Sequence, residues 1–201
     1  MLRLYYAPRT RAVRVRWLLE ELGLPYELER IPFVVPSGGF FAQATPSGKV
    51  PVLEEDGVAF GESGAILEYL VERYDDGRLA PPVGAPTRGL YLQWMHFAEG
   101  TASVPLSTIL WHTIYKGDAA EVPTVMADAR DRAHATLMVA ERALDSSEYL
   151  PGPSFTAADI QLHFTVAAAQ VLGVLDDRHP NLGAYLERLA QRPAFQRATA
   201  D

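Results

Sequence analysis

The amino-acid sequence predicts an α/β N-terminal domain followed by an all-helical C-terminal domain. Two observations define the first domain: residues 1–31 have the pattern strand, helix, strand, and residues 50–74 have the pattern hairpin, helix. The third observation is that apolar residues recur at helical spacing from Thr87 onward. The predicted element order is therefore βαβ–ββα and then helices only. We place the domains at 1–78 and 87–201, joined by a linker at 79–86.

The βαβ unit begins with alternating apolar and polar residues over 2–6, which is typical of a strand. The hydroxyl of Thr10 can cap the helix that follows. That helix carries an apolar stripe with i, i+3, i+4, i+7 spacing, formed by Val15, Leu18, Leu19 and Leu22. Gly23 is a natural C-terminal stop, and residues 25–31 read as the second strand. The strand–helix–strand order predicts a parallel pair with a right-handed crossover.

The second half of the N-terminal domain is organised around Asp56-Gly57, the strongest short signal for a two-residue hairpin. β-Branched and aromatic residues flank this turn, at Val50, Val52, Val58 and Phe60. A helix is predicted from about Ser63 to Tyr74. Residues 32–47 read as irregular, with a possible short helix over 40–44.

The C-terminal half contains two alanine-rich helical stretches, 126–143 and 157–172. The second is apolar on most sides, which indicates a buried helix. Its main apolar stripe consists of Ile160, Phe164, Ala167, Ala168 and Val171. It begins at Thr156-Ala157-Ala158-Asp159, where an acid at the third helical position can complete a capping box. Asp159 is thus a cap in this interpretation, and we do not assign it a catalytic role.

Composition excludes several classes of function. The chain has 201 residues, a net charge of −7 and no cysteine. Without a basic cluster, binding to nucleic acid through its phosphates is not expected. The absence of cysteine excludes disulfides, thiolate metal sites and an enzyme-cysteine nucleophile. The histidines lack metal-ligand spacing, so we expect no metal. No signal peptide or membrane-spanning run is recognised, and we expect a cytoplasmic protein with no membrane partner.

Two short motifs indicate a binding site for a small peptide with a carboxylate. A cis bond between Val50 and Pro51 would leave the Val50 backbone free to pair with an extended ligand. Glu62-Ser63 opens a helix, whose free N–H groups and dipole favour an anion. An ordinary hairpin followed by a helix cap is the simpler alternative for the same stretch.

Further motifs give the chain a resemblance to a known family. They are Trp17–Tyr26 (WLLEELGLPY), Pro46–Pro51 (PSGKVP), Tyr91–Glu99 (YLQWMHFAE) and the tail from Pro180 to Phe195. In this order they resemble bacterial and fungal glutathione transferases. The resemblance implies a thioredoxin-like N-terminal domain that binds glutathione as co-substrate, and a homodimer. It also implies that Val50-Pro51 pairs with the cysteinyl backbone of glutathione and that Glu62-Ser63 holds its γ-glutamyl end.

Members of this family stabilise the glutathione thiolate so that it attacks an electrophile, but this chain departs from the simple patterns for the residue responsible. Serine-type members place their hydroxyl where Thr10 stands, and tyrosine-type members place tyrosine two residues before a proline, as Tyr6 stands before Pro8. Either residue, or neither, could be the thiolate donor. Arg11 could help to hold an anionic ligand, and Lys49 could reach the glycyl carboxylate. The resemblance assigns the electrophile pocket to Phe97, Trp111, His112 and Tyr115.

The resemblance leaves open what the chain does with glutathione. We expect a transferase that acts on small hydrophobic electrophiles. A non-catalytic binding or regulatory protein of the same fold is one alternative. Glutathione-dependent peroxide reduction, isomerisation or dehalogenation is another.

Overall fold

The computed structural model describes residues 1–32 and 48–200 and contains a four-stranded mixed sheet. The strands are β1 (Leu2–Tyr6), β2 (Tyr26–Arg30), β3 (Val52–Glu55) and β4 (Val58–Phe60), arranged in the order β2-β1-β3-β4. β1 pairs parallel with β2 and antiparallel with β3, and β3 pairs antiparallel with β4. The predicted βαβ unit and hairpin are confirmed. The short helix expected over 40–44 lies outside the described residues.

Helices make up most of the remaining structure. They are α1 (Ala12–Leu22), α2 (Ser63–Tyr74), α3 (Arg88–Phe97), α4 (Ser103–Leu110), α5 (Pro123–Ala143), α6 (Ala157–Val171), α7 (Pro180–Ala190) and α8 (Pro193–Thr199). Two segments, Ala98–Ala102 and Trp111–Tyr115, are π-helical, and Ala119–Glu121 is a 3₁₀ turn. The predicted all-helical C-terminal half is thus confirmed. Among the described helices, none combines the length and the apolar character needed to cross a bilayer.

Backbone contacts divide the chain into two compact units. The first unit contains residues up to Ala80 together with the segment from Ala190 onward, and the second runs from Pro81 to Leu189. Sequence patterns predict one helical domain over 87–201, whereas the structure groups the last helix with the sheet. The reason is that α8 packs on α1.

Contacts at Trp17, Glu20 and Glu21 hold α8 and the residue before it against α1 within the first unit. The Trp17 and Phe195 rings meet edge to face, with centroids 4.7 Å apart. The Arg192 guanidinium donates to both carboxylate oxygens of Glu21, at 2.7 and 2.9 Å. The Trp17 indole N–H also donates to Glu21, at 2.8 Å. One carboxylate of α1 therefore connects an aromatic contact and an ion pair, and both residues of the pair are largely covered.

Local sequence signals fix the ends of the elements in the first unit. Gly23 ends α1 with φ 65°, the left-handed conformation that glycine adopts at low cost. Asp56 and Gly57 both have positive φ, 51° and 83°, as a two-residue hairpin of type I′ requires.

In the second unit, α6 is buried over most of its length. Its capping box is present: the Thr156 N–H donates to Asp159 at 2.7 Å, and the Thr156 hydroxyl accepts the Ala158 N–H at 3.3 Å. The predicted apolar stripe is buried only at Ile160. Phe164, Ala167 and Ala168 are half-buried, and Val171 in the last turn is 81% exposed.

Candidate functional site

The N-terminus of α2 carries the strongest features of an anion site. Ser63, its first residue, is 5% exposed. Glu62, just before it, has φ 68° and ψ 105°, a conformation that side chains rarely adopt. Strained residues of this kind occur mainly where a structure shapes a ligand site. The first N–H groups of α2 have no acceptor within the helix, so this end attracts negative charge.

A buried arginine lies directly against this helix start. Arg14 on α1 is 1% exposed, and its Nη1 donates to the Ser63 hydroxyl oxygen at 3.1 Å. A guanidinium remains charged at any ordinary pH, so this contact brings a full positive charge beside the helix N-terminus. Together, Arg14, Ser63 and the N–H groups of α2 suit a carboxylate.

Sequence reasoning did not identify Arg14, although the sequence contained a signal for it. Arg14 is one residue before Val15 and four before Leu18, so it belongs to the apolar stripe of α1. A charged residue at such a position is buried and needs a partner. That the partner is Ser63 required the tertiary structure.

The Val50-Pro51 motif lies in the same unit, just before the paired residues of β3. The Val50–Pro51 peptide bond is cis. Pro51 is buried and Val50 half-buried, whereas the Lys49 side chain is exposed. Since β3 begins at Val52, the Val50 backbone stands outside the paired register of the sheet. This position is compatible with pairing to an extended ligand.

Thr10 forms the turn between β1 and α1. Its hydroxyl donates to the Ala7 carbonyl at 2.7 Å and accepts the Ala12 N–H at 3.2 Å. The Thr10 hydroxyl therefore bonds to the N–H of Ala12, the first residue of α1. The half-buried Arg11, which lies between Thr10 and Ala12 in the sequence, occupies the N-cap position. The hydroxyl hydrogen is engaged with a neutral carbonyl, an acceptor that an anion can replace.

Tyr6 lies at the end of β1 and is 1% exposed. The Arg16 guanidinium lies 5.2 Å from its ring centroid. Burial opposes the charge on Arg16, but hydrogen bonds with Tyr26 and Tyr6 raise its pKa above the ordinary value. The Arg16 guanidinium thus lies beside the ring of the buried Tyr6 side chain.

The residues assigned to the electrophile pocket belong to the second unit. The structure brings Trp111, His112 and Tyr115 together on one π-helical segment, with the two aromatic rings 5.9 Å apart. Both rings are exposed, Trp111 by 56% and Tyr115 by 44%. Phe97, at the end of α3, instead packs edge to face on Trp94, with centroids 5.1 Å apart.

His112 is fixed by an acidic neighbour. Its Nδ1 lies 2.7 Å from a carboxylate oxygen of Asp118, and the Lys116 ammonium lies 2.5 Å from the other oxygen. The bonds from Lys116 and His112 lower the pKa of Asp118, which favours its ionised form. An ionised aspartate orients the imidazole through Nδ1.

Comparison with known proteins identifies the family. The family model of the glutathione S-transferase N-terminal domain matches residues 4–81, and that of the glutathione S-transferase C-terminal domain matches residues 123–188. Glutathione S-transferase 3 of Schizosaccharomyces pombe is 29% identical, over 96% of this chain and 85% of the relative.

Solved structures agree with this match over the full length. A glutathione transferase from Methylococcus capsulatus superposes with a TM-score of 0.87 at 28% identity, covering 99% of this chain and 97% of that one. A glutathione transferase family member from Pseudomonas fluorescens, solved with two glutathione molecules bound, gives a TM-score of 0.85 at 27% identity, covering 98% and 92%. The chain belongs to the glutathione S-transferase family.

Proposed function

We propose that this protein is an enzyme that binds glutathione, stabilises its thiolate and directs the thiolate at small hydrophobic electrophiles. The observation that carries the proposal is the anion-binding arrangement of Arg14, Ser63 and the N-terminus of α2. Glutathione has a carboxylate at each end. This arrangement suits its γ-glutamyl carboxylate, with Glu62 available to its ammonium group. The Val50 backbone would pair with the cysteinyl residue.

The other end of glutathione and the electrophile need their own contacts. The exposed Lys49 ammonium is available for the glycyl carboxylate. We assign the electrophile to the aromatic rings of Trp111 and Tyr115, whose exposed apolar surface favours a hydrophobic substrate. Their neighbour His112 would lie beside the bound electrophile.

Thiolate stabilisation is the energetic requirement of the reaction. A free thiol has a pKa near 8.5, and lowering it by about two units needs about 2.7 kcal/mol of preference for the anion. One hydrogen bond from a hydroxyl to an anion contributes roughly 1.5–3 kcal/mol. We assign this bond to Thr10, because its hydrogen can turn from the Ala7 carbonyl to the stronger anionic acceptor. The Tyr6 side chain is instead enclosed, and the Arg16 guanidinium lies 5.2 Å from its ring centroid.

Titration of glutathione into the purified protein, followed by the ultraviolet absorption of the thiolate, tests the assignment. In the wild type we expect a thiolate signal that saturates at neutral pH. Thr10→Ala should raise the pKa of the bound thiol by about 1–2 units, which is the pKa equivalent of the lost bond. Thr10→Ser is the matched control and should retain the signal, and Tyr6→Phe should leave it unchanged.

The other outcomes separate the alternatives. Full activity of Thr10→Ala would refute the assignment of the thiolate donor. Saturable binding without thiolate would favour a glutathione-binding partner protein, and turnover of peroxides alone would favour a peroxidase. No binding at all would refute the proposed site.

We also propose a homodimer, which light scattering on the purified protein would test.

A further inference from the structure

Three potential metal ligands, none of them assigned a role above, meet in the second unit. His134 lies on α5, and Asp176 and His179 lie in the turn before α7. One ligand atom from each residue lies within 4.8 Å of the others. The spacing of histidines along the sequence predicts no metal, because His134 belongs to a helix that is distant in sequence from this turn.

The two imidazole rings are stacked at a spacing close to that of two ligands of one ion, so one ring has to turn before both nitrogen lone pairs can meet a shared ion. Their ring centroids are 5.4 Å apart, with an angle of 9° between the ring planes. Two imidazoles bound to one Zn²⁺ at about 2.0–2.1 Å and a tetrahedral angle would have centroids roughly 5 Å apart. Asp176 lies close to one of the rings: its backbone N–H donates to His179 Nδ1 at 3.3 Å, and its Oδ1 is 3.2 Å from the same nitrogen.

A cationic group already bridges two of these ligands. The Arg178 Nη2 lies 2.6 Å from His134 Nε2, 3.1 Å from His134 Nδ1 and 2.7 Å from Asp176 Oδ2. A guanidinium only donates hydrogen bonds, so the His134 imidazole presents a lone pair to it. The same position therefore favours a positive charge. The Arg178 side chain is 61% exposed, so it can move into solvent and leave this position to a metal ion.

The His179 side chain is incompletely satisfied. It is fully buried, and its Nε2 has no hydrogen-bond partner among the residues that the structure describes. A buried polar atom without a partner is costly, so such atoms are rare outside sites where a ligand or a specific role compensates. This imidazole is the most buried of the three ligands in the cluster.

From these contacts we propose that His134, Asp176 and His179 bind one divalent transition-metal ion such as Zn²⁺, with Arg178 as a competing internal cation. Two imidazoles and one carboxylate suit zinc, cobalt or nickel better than magnesium or calcium, which prefer oxygen ligands. Three protein ligands would leave one tetrahedral position for water.

Calorimetric titration of ZnCl₂ into the untagged, chelator-treated full chain tests the site. We expect one ion per chain, and a higher melting temperature with zinc than without it. His134→Ala and Asp176→Asn should each weaken zinc binding by at least about tenfold. Removing a residue that only hydrogen-bonds to a metal ligand already lowers metal affinity by about that factor. Arg178→Gln should tighten binding, because it removes the competing cation. His96→Ala, an exposed histidine on α3, is the matched control and should change nothing.

Both affected ligands are at least partly exposed, so these variants should fold, and circular dichroism would verify this. Absence of saturable zinc binding would overturn the proposal. So would binding that persists unchanged in His134→Ala and Asp176→Asn, or binding that weakens in Arg178→Gln. MgCl₂ should show no binding, and equal binding of magnesium would also refute the assigned ligand set.

Discussion

The carboxylate of Asp159 holds together more of the second unit than a helix cap requires. It is fully buried. One oxygen accepts the Leu150 N–H at 2.7 Å and the Tyr185 hydroxyl at 2.9 Å, and the other accepts the Thr156 N–H at 2.7 Å. One side chain therefore connects the start of α6 to the preceding loop and to α7.

Asp159→Ala should lower the free energy of unfolding by about 3–4 kcal/mol at pH 8. Loss of a helix cap alone costs about 0.5–2 kcal/mol. The larger value follows because three buried donors lose their acceptor, at a cost of roughly 1–3 kcal/mol each. Part of this cost is offset, because the variant no longer has to desolvate a buried carboxylate. The measurement is urea unfolding followed by circular dichroism.

Two controls separate the contributions to this loss. Tyr185→Phe removes one donor without leaving a backbone group unpaired and should cost about 1 kcal/mol. Asp128→Ala, at an exposed position of α5 where the carboxylate pairs with Arg132, should cost less than about 0.5 kcal/mol. A loss of only about 1 kcal/mol in Asp159→Ala would refute the reasoning, because the bonds to Leu150 and Tyr185 would then add nothing to the cap.

Two further predictions follow from buried charged groups. Burial raises the pKa of Asp159 to about 7, despite hydrogen bonds from Leu150, Thr156 and Tyr185. Because the unfolded pKa is near 3.9, the folded state keeps a proton that the unfolded state loses. The stability that this retained proton contributes is fully present below about pH 4 and is lost as the pH rises through about 7. The melting temperature of the wild type relative to Asp159→Asn should therefore rise between pH 8 and pH 5; a constant difference would contradict the raised pKa. Arg14→Met should weaken glutathione binding about tenfold in calorimetry by removing the charge beside Ser63. Unchanged affinity, in a variant that folds, would show that this charge does not contribute.

Much of the fold could be predicted because its signals are local. The hairpin at Asp56-Gly57 needs two residues that tolerate positive φ, and the end of α1 at Gly23 needs one. The capping box joins Thr156 to Asp159, three residues away. Helix periodicity likewise depends on neighbours three and four residues apart, so α2 was predicted with the bounds that it has. Patterns of this range can be read from the chain alone.

The anion site was predicted only in part. The sequence indicated Glu62-Ser63, because a helix start is a local feature. It did not indicate Arg14, since the hydrogen bond to Ser63 joins residues 49 positions apart. The burial of Arg14 follows from the helical pattern, whereas its partner depends on how α1 packs against α2.

Contacts between distant residues account for the features that only the tertiary structure decided. The packing of α8 on α1 rests on Glu21 and Arg192, which are 171 positions apart. The cluster of His134 with Asp176 and His179 likewise joins α5 to the turn before α7. Sequence patterns determine which face of each helix is apolar, but many pairings of such faces bury similar area. The choice among these pairings depends on shape and charge over the whole fold, and it places the side chains that form the sites.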